Sequence, residues 1–220
     1  MDVLGFFVFF ALFLPGPPPE TPVVVDVLFD MANPRASVAI MKDAILEEGD
    51  FYRNCRIISF EPDAVVAREN ETESTLKWLK EAGAKPRKGM RRKARHLFAV
   101  KQMAAIHEAQ VHFLKKFDNG FSPDLQTLFD HQTLPGGFQD WQKQTYRYKI
   151  IQSGFKKKLA IEEKPTPFFI AIATPIRKGD YYFAVNELGE IRYSKKRSDV
   201  EWASVWDYRD PYPPTESVIR

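Results

Sequence analysis

Apolar residues recur along Ala94–Phe117 at helical spacing. Leu97, Val100, Ala104, Val111 and Leu114 follow one another at three-, four- and seven-residue steps, the pattern of an amphipathic helix with one buried face. Ala94, Ala99, Ala104, Ala105 and Ala109 add helix propensity, since alanine loses little side-chain entropy. Lys101, Glu108, Lys115 and Lys116 fall to the solvated side. Asp118-Asn119-Gly120 supplies a stop, and Lys115 and Lys116 suit the negative end of the helix dipole. After a short turn or helix at Ser122–Phe129 and a break at Pro135-Gly136-Gly137, the period changes. Alternating aromatic and β-branched residues predict strands over 145–152, 168–174, 181–185 and 190–193. The turns at Arg177–Asp180 and Asn186–Gly189 are too short for parallel crossovers, so these strands are expected to be antiparallel.

The upstream pattern predicts a strand at Val23–Phe29 and a helix from Asn33-Pro34 that buries Val38, Ile40, Met41, Ala44 and Ile45 and ends near Gly49. A strand at Arg56–Phe60 and a helix at Thr72–Ala82, with Leu76, Trp78 and Leu79 as its apolar positions, complete the order strand, helix, strand, helix. That order suggests a small α/β module. Gly5–Leu14 is an apolar run shorter than the roughly 20 residues a membrane span needs. It reads as an export signal or short anchor, with a buried segment as the bland alternative. Pro15–Pro22 follows as a proline-rich linker. The expected organisation is a signal-like or anchor segment with its linker over 1–22, a small α/β module over 23–84, an α+β domain over 85–200 and an aromatic, proline-rich tail over 201–220.

Composition narrows the function classes. A chain of 220 residues with 44% apolar content can build one large domain or two small ones. The net charge of +3 does not by itself demand a nucleic-acid partner. The single Cys55 excludes an intrachain disulfide, a CxxC redox motif and a cysteine-rich zinc site, and reads as a half-buried strand thiol. The densest basic run, Lys85–His96, reads first as a solvated lead into the long helix and second as a patch for polyanions or acidic lipid, without specific nucleic-acid recognition. No P-loop, dinucleotide fingerprint, nucleophile elbow or HExxH motif is present. His107 and His112 stand five apart and point in different directions on a helix, and His96 and His131 add no compact ligand spacing. Asp26 and Asp30 flank the end of the first strand, where polar groups can line ligand crevices, but one inward and one turn-forming aspartate is the commoner arrangement. Asn70-Glu71-Thr72 fits a glycosylation sequon and reads better as a helix start capped by Thr72. The expectation is therefore no catalytic residue, no cofactor or cofactor-binding residue and no metal ligand. Trp202, Trp206, Tyr208 and Tyr212, among prolines, form a segment that would dock on the sheet or on a partner.

Two stretches carry a resemblance. Ala105–Leu128, AIHEAQVHFLKKFDNGFSPDLQTL, resembles the passage from helix to loop in bacterial type IV pilins and type II secretion pseudopilins, and Phe168–Tyr193, FFIAIATPIRKGDYYFAVNELGEIRY, resembles their final hairpins. The resemblance spans roughly the last three-fifths of the chain. It implies an α+β fold, a long N-terminal helix packed on an antiparallel meander sheet, here preceded by the small α/β module. It also implies a non-enzymatic structural or adaptor role in a pilus or secretion-related system. Protein partners would come from that assembly, and the setting would be the bacterial cell envelope, periplasmic or anchored in the inner membrane. The chain departs from the family near Gly5-Phe6: the expected glutamate position is apolar and Pro15 cuts the helix. Filament formation by this chain alone is therefore not expected. A periplasmic ligand-binding or sensing module, with its pocket between the α/β module and the sheet, is the alternative. An enzyme built on Asp26 and Asp30 stands third.

Overall fold

The computed structural model describes residues 22–30, 34–70, 72–117, 120–134, 145–151 and 168–198. The apolar run at Gly5–Leu14, the prolines at 15–19 and the aromatic tail lie outside the described residues. The first β-unit runs β1 (Val24–Leu28), β2 (Val38–Met41), β3 (Ile45–Leu46), β4 (Phe51–Tyr52), β5 (Cys55–Glu61), β6 (Ala64–Glu69) and β7 (Thr75–Leu79). It forms two antiparallel sheets, β1-β2-β3 and β4-β5-β6-β7. Helix α1 (Met90–Phe117) and the short α2 (Leu125–Asp130) follow. The second β-unit is the antiparallel sheet β11-β10-β9-β8, built from β8 (Tyr146–Ile151), β9 (Ile170–Pro175), β10 (Tyr182–Asn186) and β11 (Ile191–Ser194).

This overturns the expected fold class. The described residues are dominated by three antiparallel sheets, with one helix of 28 residues and one of 6. The α/β module is not there: the helix expected after Asn33-Pro34 is a strand pair, and the helix expected over 72–82 is β7. Nor is the long helix N-terminal and reserved for one meander, because its first turns pack on the first β-unit.

The first correction has a clear cause. Sheet β1-β2-β3 is covered on both faces. Val24, Val27, Ala39, Met41 and Leu46 face the second sheet, where Ile57, Phe60, Val65, Ala67 and Trp78 meet them. Val25, Val38 and Ile40 face the other way, onto Met90, Ala94 and Phe98 of α1. All four residues of β2 are consequently buried, so the polar–apolar alternation that marks a half-solvated strand is missing. β7 does alternate: Trp78 is buried while Thr75, Lys77 and Leu79 are exposed.

α1 holds no proline or glycine, which lets it run unbroken for about 42 Å at 1.5 Å per residue. Its buried seam is not the expected one. Ala99, Met103, Ile106, Ala109 and Phe113 are buried against Tyr146, Phe169, Ala171, Phe183 and Val185 of the second sheet and Leu125 and Leu128 of α2. Leu97, Ala104, Val111 and Leu114 are only partly buried. The true seam includes His96, Gln102 and Gln110, all fully buried, and these polar residues disguise it in a hydrophobic pattern. Met103, Ile106 and Phe98 are each completely buried, worth about 2 kcal/mol apiece in apolar transfer. In the β10–β11 turn, Gly189 has φ +79, and a Cβ there would stand 3.1 Å from the His107 ring. A side chain at that position would meet both backbone strain and a packed ring.

Candidate functional site

α1 also gathers polar groups from both β-units. Asp30, just past β1, is fully buried. Its backbone N–H donates to Ser37 Oγ at 2.9 Å, and its Oδ2 accepts from Gln102 Nε2 of α1, also at 2.9 Å. Tyr148 of β8 is buried nearby. Burial pushes its phenol up, the Asp30 charge adds to the rise, and a hydrogen bond with Thr145 opposes it. Tyr148 therefore stays protonated near neutral pH. Asp30 is thus placed among β1, α1 and β8. A hydrogen bond to a buried carboxylate contributes about 1.5–3 kcal/mol.

A second polar cluster ties α1 to the turn before β10. Arg95 meets Asp180 with both arms of its fork, Nε at 2.8 Å and Nη2 at 3.0 Å. Its side chain is 13% exposed and that of Asp180 is 2% exposed. His96 is buried beside them, its Nε2 3.5 Å from Asp180 Oδ1 and 3.4 Å from the Tyr181 backbone nitrogen. Tyr181 and Phe183 pack edge-on to the His96 ring. Burial pushes the Asp180 carboxyl up, but hydrogen bonds and charge from His96 and Arg95 outweigh it and hold the carboxyl below its usual range. The bidentate geometry fixes orientation as well as energy.

The other candidates are dispersed. Asp26 pairs with Lys80 at 2.7 Å rather than with Asp30. His107 Nε2 lies 3.2 Å from the Glu187 carbonyl, and its ring packs on Phe169. His112 is exposed, while His131 packs against Phe113 and Phe117. Among the described residues no group of three His, Cys, Asp or Glu side chains stands ready to hold a metal ion. Cys55 is buried, and burial and the Glu69 charge push its thiol up, which makes it a poor nucleophile. Thr72 is not a helix cap: it lies in the β6–β7 turn, where its hydroxyl donates to Glu69 at 2.6 Å and accepts from the Ser74 N–H at 3.3 Å.

The basic run divides at the start of α1. Arg95 and His96 turn inward, whereas Lys85, Arg87, Lys88, Arg91, Arg92 and Lys93 are exposed. Two open clefts flank them. One, of about 600 Å³, is lined by Val25, Asp26, Lys80, Lys85, Arg87 and Arg91 among others. The other, of about 620 Å³, lies between the β2–β4 region and α1, with Asp43, Glu47 and Asp50 opposite Arg87, Lys88 and Lys93. Its acids are already engaged: Asp43 accepts from Tyr52 Oη, Asp50 from the Glu47 N–H, and Glu47 pairs with Lys101. Asp180 was legible only as part of a turn and Arg95 only as part of the basic run, and nothing local singled out Gln102. Their partners lie 72 and 85 residues away, beyond any local pattern. No protein-family model, curated protein or solved structure matches the chain.

Proposed function

We propose that this chain is a non-enzymatic structural or adaptor protein of a pilus- or secretion-related system in the bacterial envelope. One observation carries the reading. The two stretches that resemble pilin and pseudopilin sequence, 105–128 and 168–193, pack on each other. Ile106, Ala109, Phe113, Phe121, Leu125 and Leu128 from the first share one core with Phe169, Ala171, Ala173, Phe183, Val185 and Tyr193 from the second. The reading rests on that convergence and not on the α+β class, which the three-sheet architecture replaces.

The buried polar groups around α1 fit the same role. Asp30, Gln102, Arg95 and Asp180 are engaged in joining elements, which stiffens a body that must hold partners in register. Partner-facing positions are supplied by exposed apolar side chains on the rims, Leu79 on the edge strand β7 at 66% exposure and Leu188 in the β10–β11 turn at 73%. Photocrosslinking in cells from positions 79 and 188, with adducts identified by mass spectrometry, tests the role. Adducts with envelope subunits of a pilus or secretion machine are expected. Reproducible thermal stabilisation by a single small metabolite, with no such adducts, would favour a ligand-binding module instead.

A further inference from the structure

We infer that the exposed basic face at the start of α1 lies against an anionic lipid surface. This goes beyond the adaptor role, which could hold with or without it. The face is built from Lys85, Arg87, Lys88, Arg91, Arg92 and Lys93, all exposed. The sequence holds no acidic residue between Glu81 and Glu108. Among the described residues no ion pair joins Lys85, Arg87, Lys88, Arg91 or Arg92 to an acid; of the acids lining the two clefts, Asp26 pairs with Lys80 and Glu47 with Lys101. The first turn of α1 carries no acidic side chain. Lys85, Arg87, Lys88, Arg91 and Arg92 thus cluster like charge on one exposed face, a mutual repulsion that an anionic surface would relieve.

The place where residues 1–21 join the fold selects lipid as that surface. The Val23 carbonyl accepts from the Lys42 N–H at 3.2 Å, and the Lys42 carbonyl accepts from the Arg87 N–H at 3.0 Å. Val24 is bridged to Lys80, and its carbonyl accepts from Glu81 N–H at 2.9 Å. The chain thus emerges beside Arg87 and Lys80. Upstream lies the apolar run Gly5–Leu14, with no Lys or Arg anywhere in the first 21 residues. Eight residues separate Leu14 from Val23, which span at most about 29 Å when fully extended. An apolar run too short to span and without basic flanks binds a membrane only marginally. Stable attachment takes a second signal, and a polybasic patch is one. The folded face supplies that charge within reach of the run. A nucleic acid would account for the cations but not for the apolar run beside them, and neither cleft at this face is lined by an aromatic side chain on which bases could stack.

The test is sedimentation of the full-length protein with phosphatidylcholine vesicles, with or without phosphatidylglycerol, at low and high salt. Each cation at an anionic surface is worth on the order of fivefold in partitioning. The expected result is tighter binding to the anionic vesicles that fades as salt shortens the screening length. The variant K88Q/R91Q/R92Q, checked for native circular dichroism, should lose on the order of a hundredfold of that preference. K115Q/K116Q, at the far end of α1, should keep it. Equal binding to neutral and anionic vesicles overturns the proposal, as does an unchanged preference in the triple variant or an equal loss in the distal one. A nucleic-acid complex that survives roughly half-molar salt, where exposed charges are screened, would assign the face to nucleic acid and also overturn it.

Discussion

The two β-units close their cores in different ways. In the first, the cluster between its two sheets is made of β-strand and turn residues, Val24, Met41, Ile57, Val65 and Trp78 among them, and takes no side chain from α1 among the described residues. In the second, the cluster depends on the helix: Ala99, Met103, Ile106, Ala109 and Phe113 stand opposite Tyr146, Phe169 and Phe183. α1 packs its apolar side chains Met90, Ala94 and Phe98 on an outer face of the first unit, and Gln102 and Lys101 reach Asp30 and Glu47 beside it. A four-stranded sheet with one apolar face must be covered to be stable, whereas two sheets can cover each other. The helix therefore completes the core of the second unit and braces the first from outside.

The largest expected effect breaks the second unit alone. Ile106→Asp forces a charge into a completely buried position and should cost more than about 4 kcal/mol. Tyrosine signals from Tyr146 and Tyr148 in near-ultraviolet circular dichroism should collapse while the first unit keeps its fold. Ile57→Ala is the mirror experiment. Ile57 is 1% exposed in the first core, and truncation should cost about 2–5 kcal/mol, with loss of Trp78 emission character but not of the second unit's signals.

Asp180→Asn sharpens the comparison at the helix, because it removes the charge that holds Arg95 and His96. We expect a loss of about 2 kcal/mol, below the range for fully buried pairs because Arg95 keeps some solvent contact. The pH dependence has a definite sign. The Asp180 carboxyl is held below its usual range, so its stabilisation is complete above about pH 4, the ordinary aspartate value. It fades as pH falls through the lower folded-state value. The gap between wild type and Asp180→Asn, read from denaturant midpoints, should be constant at neutral pH and should shrink only in acid. Gly189→Ala should have the smallest effect, about 1–2 kcal/mol from the left-handed backbone, plus whatever the His107 ring must give at 3.1 Å. Thermal melting would register it as a small shift.

The sequence showed the second unit better than the first. β8 alternates, with Tyr146, Tyr148 and Ile150 buried and Arg147 and Lys149 exposed, and the short apolar runs of β9 and β10 are bounded by turns that glycines at positive φ mark, Gly179 and Gly189. In the first unit, Val38-Ala39-Ile40-Met41 is covered on both sides, so it resembles any apolar run. In β7, Leu76 and Leu79 happen to fall three apart and mimic a helix face, although Thr75, Lys77 and Leu79 point outward together. The face of α1 was misjudged because burial there is partly polar: Gln102 meets Asp30, and Gln110 meets both N–H and carbonyl of Ser122, at 2.7 and 3.0 Å. Of the candidate site, the acid Asp30 stood out as a strand-end aspartate. Its amide partner did not, since pairing across 72 residues leaves no local trace.

The most direct test of this division of labour is native-state hydrogen exchange of the wild-type protein under rising denaturant, resolved by peptide. The amides of Met103–Phe113 in α1 should open together with those of β9 and β10, at one common free energy and slope. Those of β5 and β6 should follow a separate isotherm. Release of the α1 amides while β9 and β10 stay protected, or a single opening shared by all three groups, would contradict a second unit whose core the helix completes and a first unit whose core stands by itself.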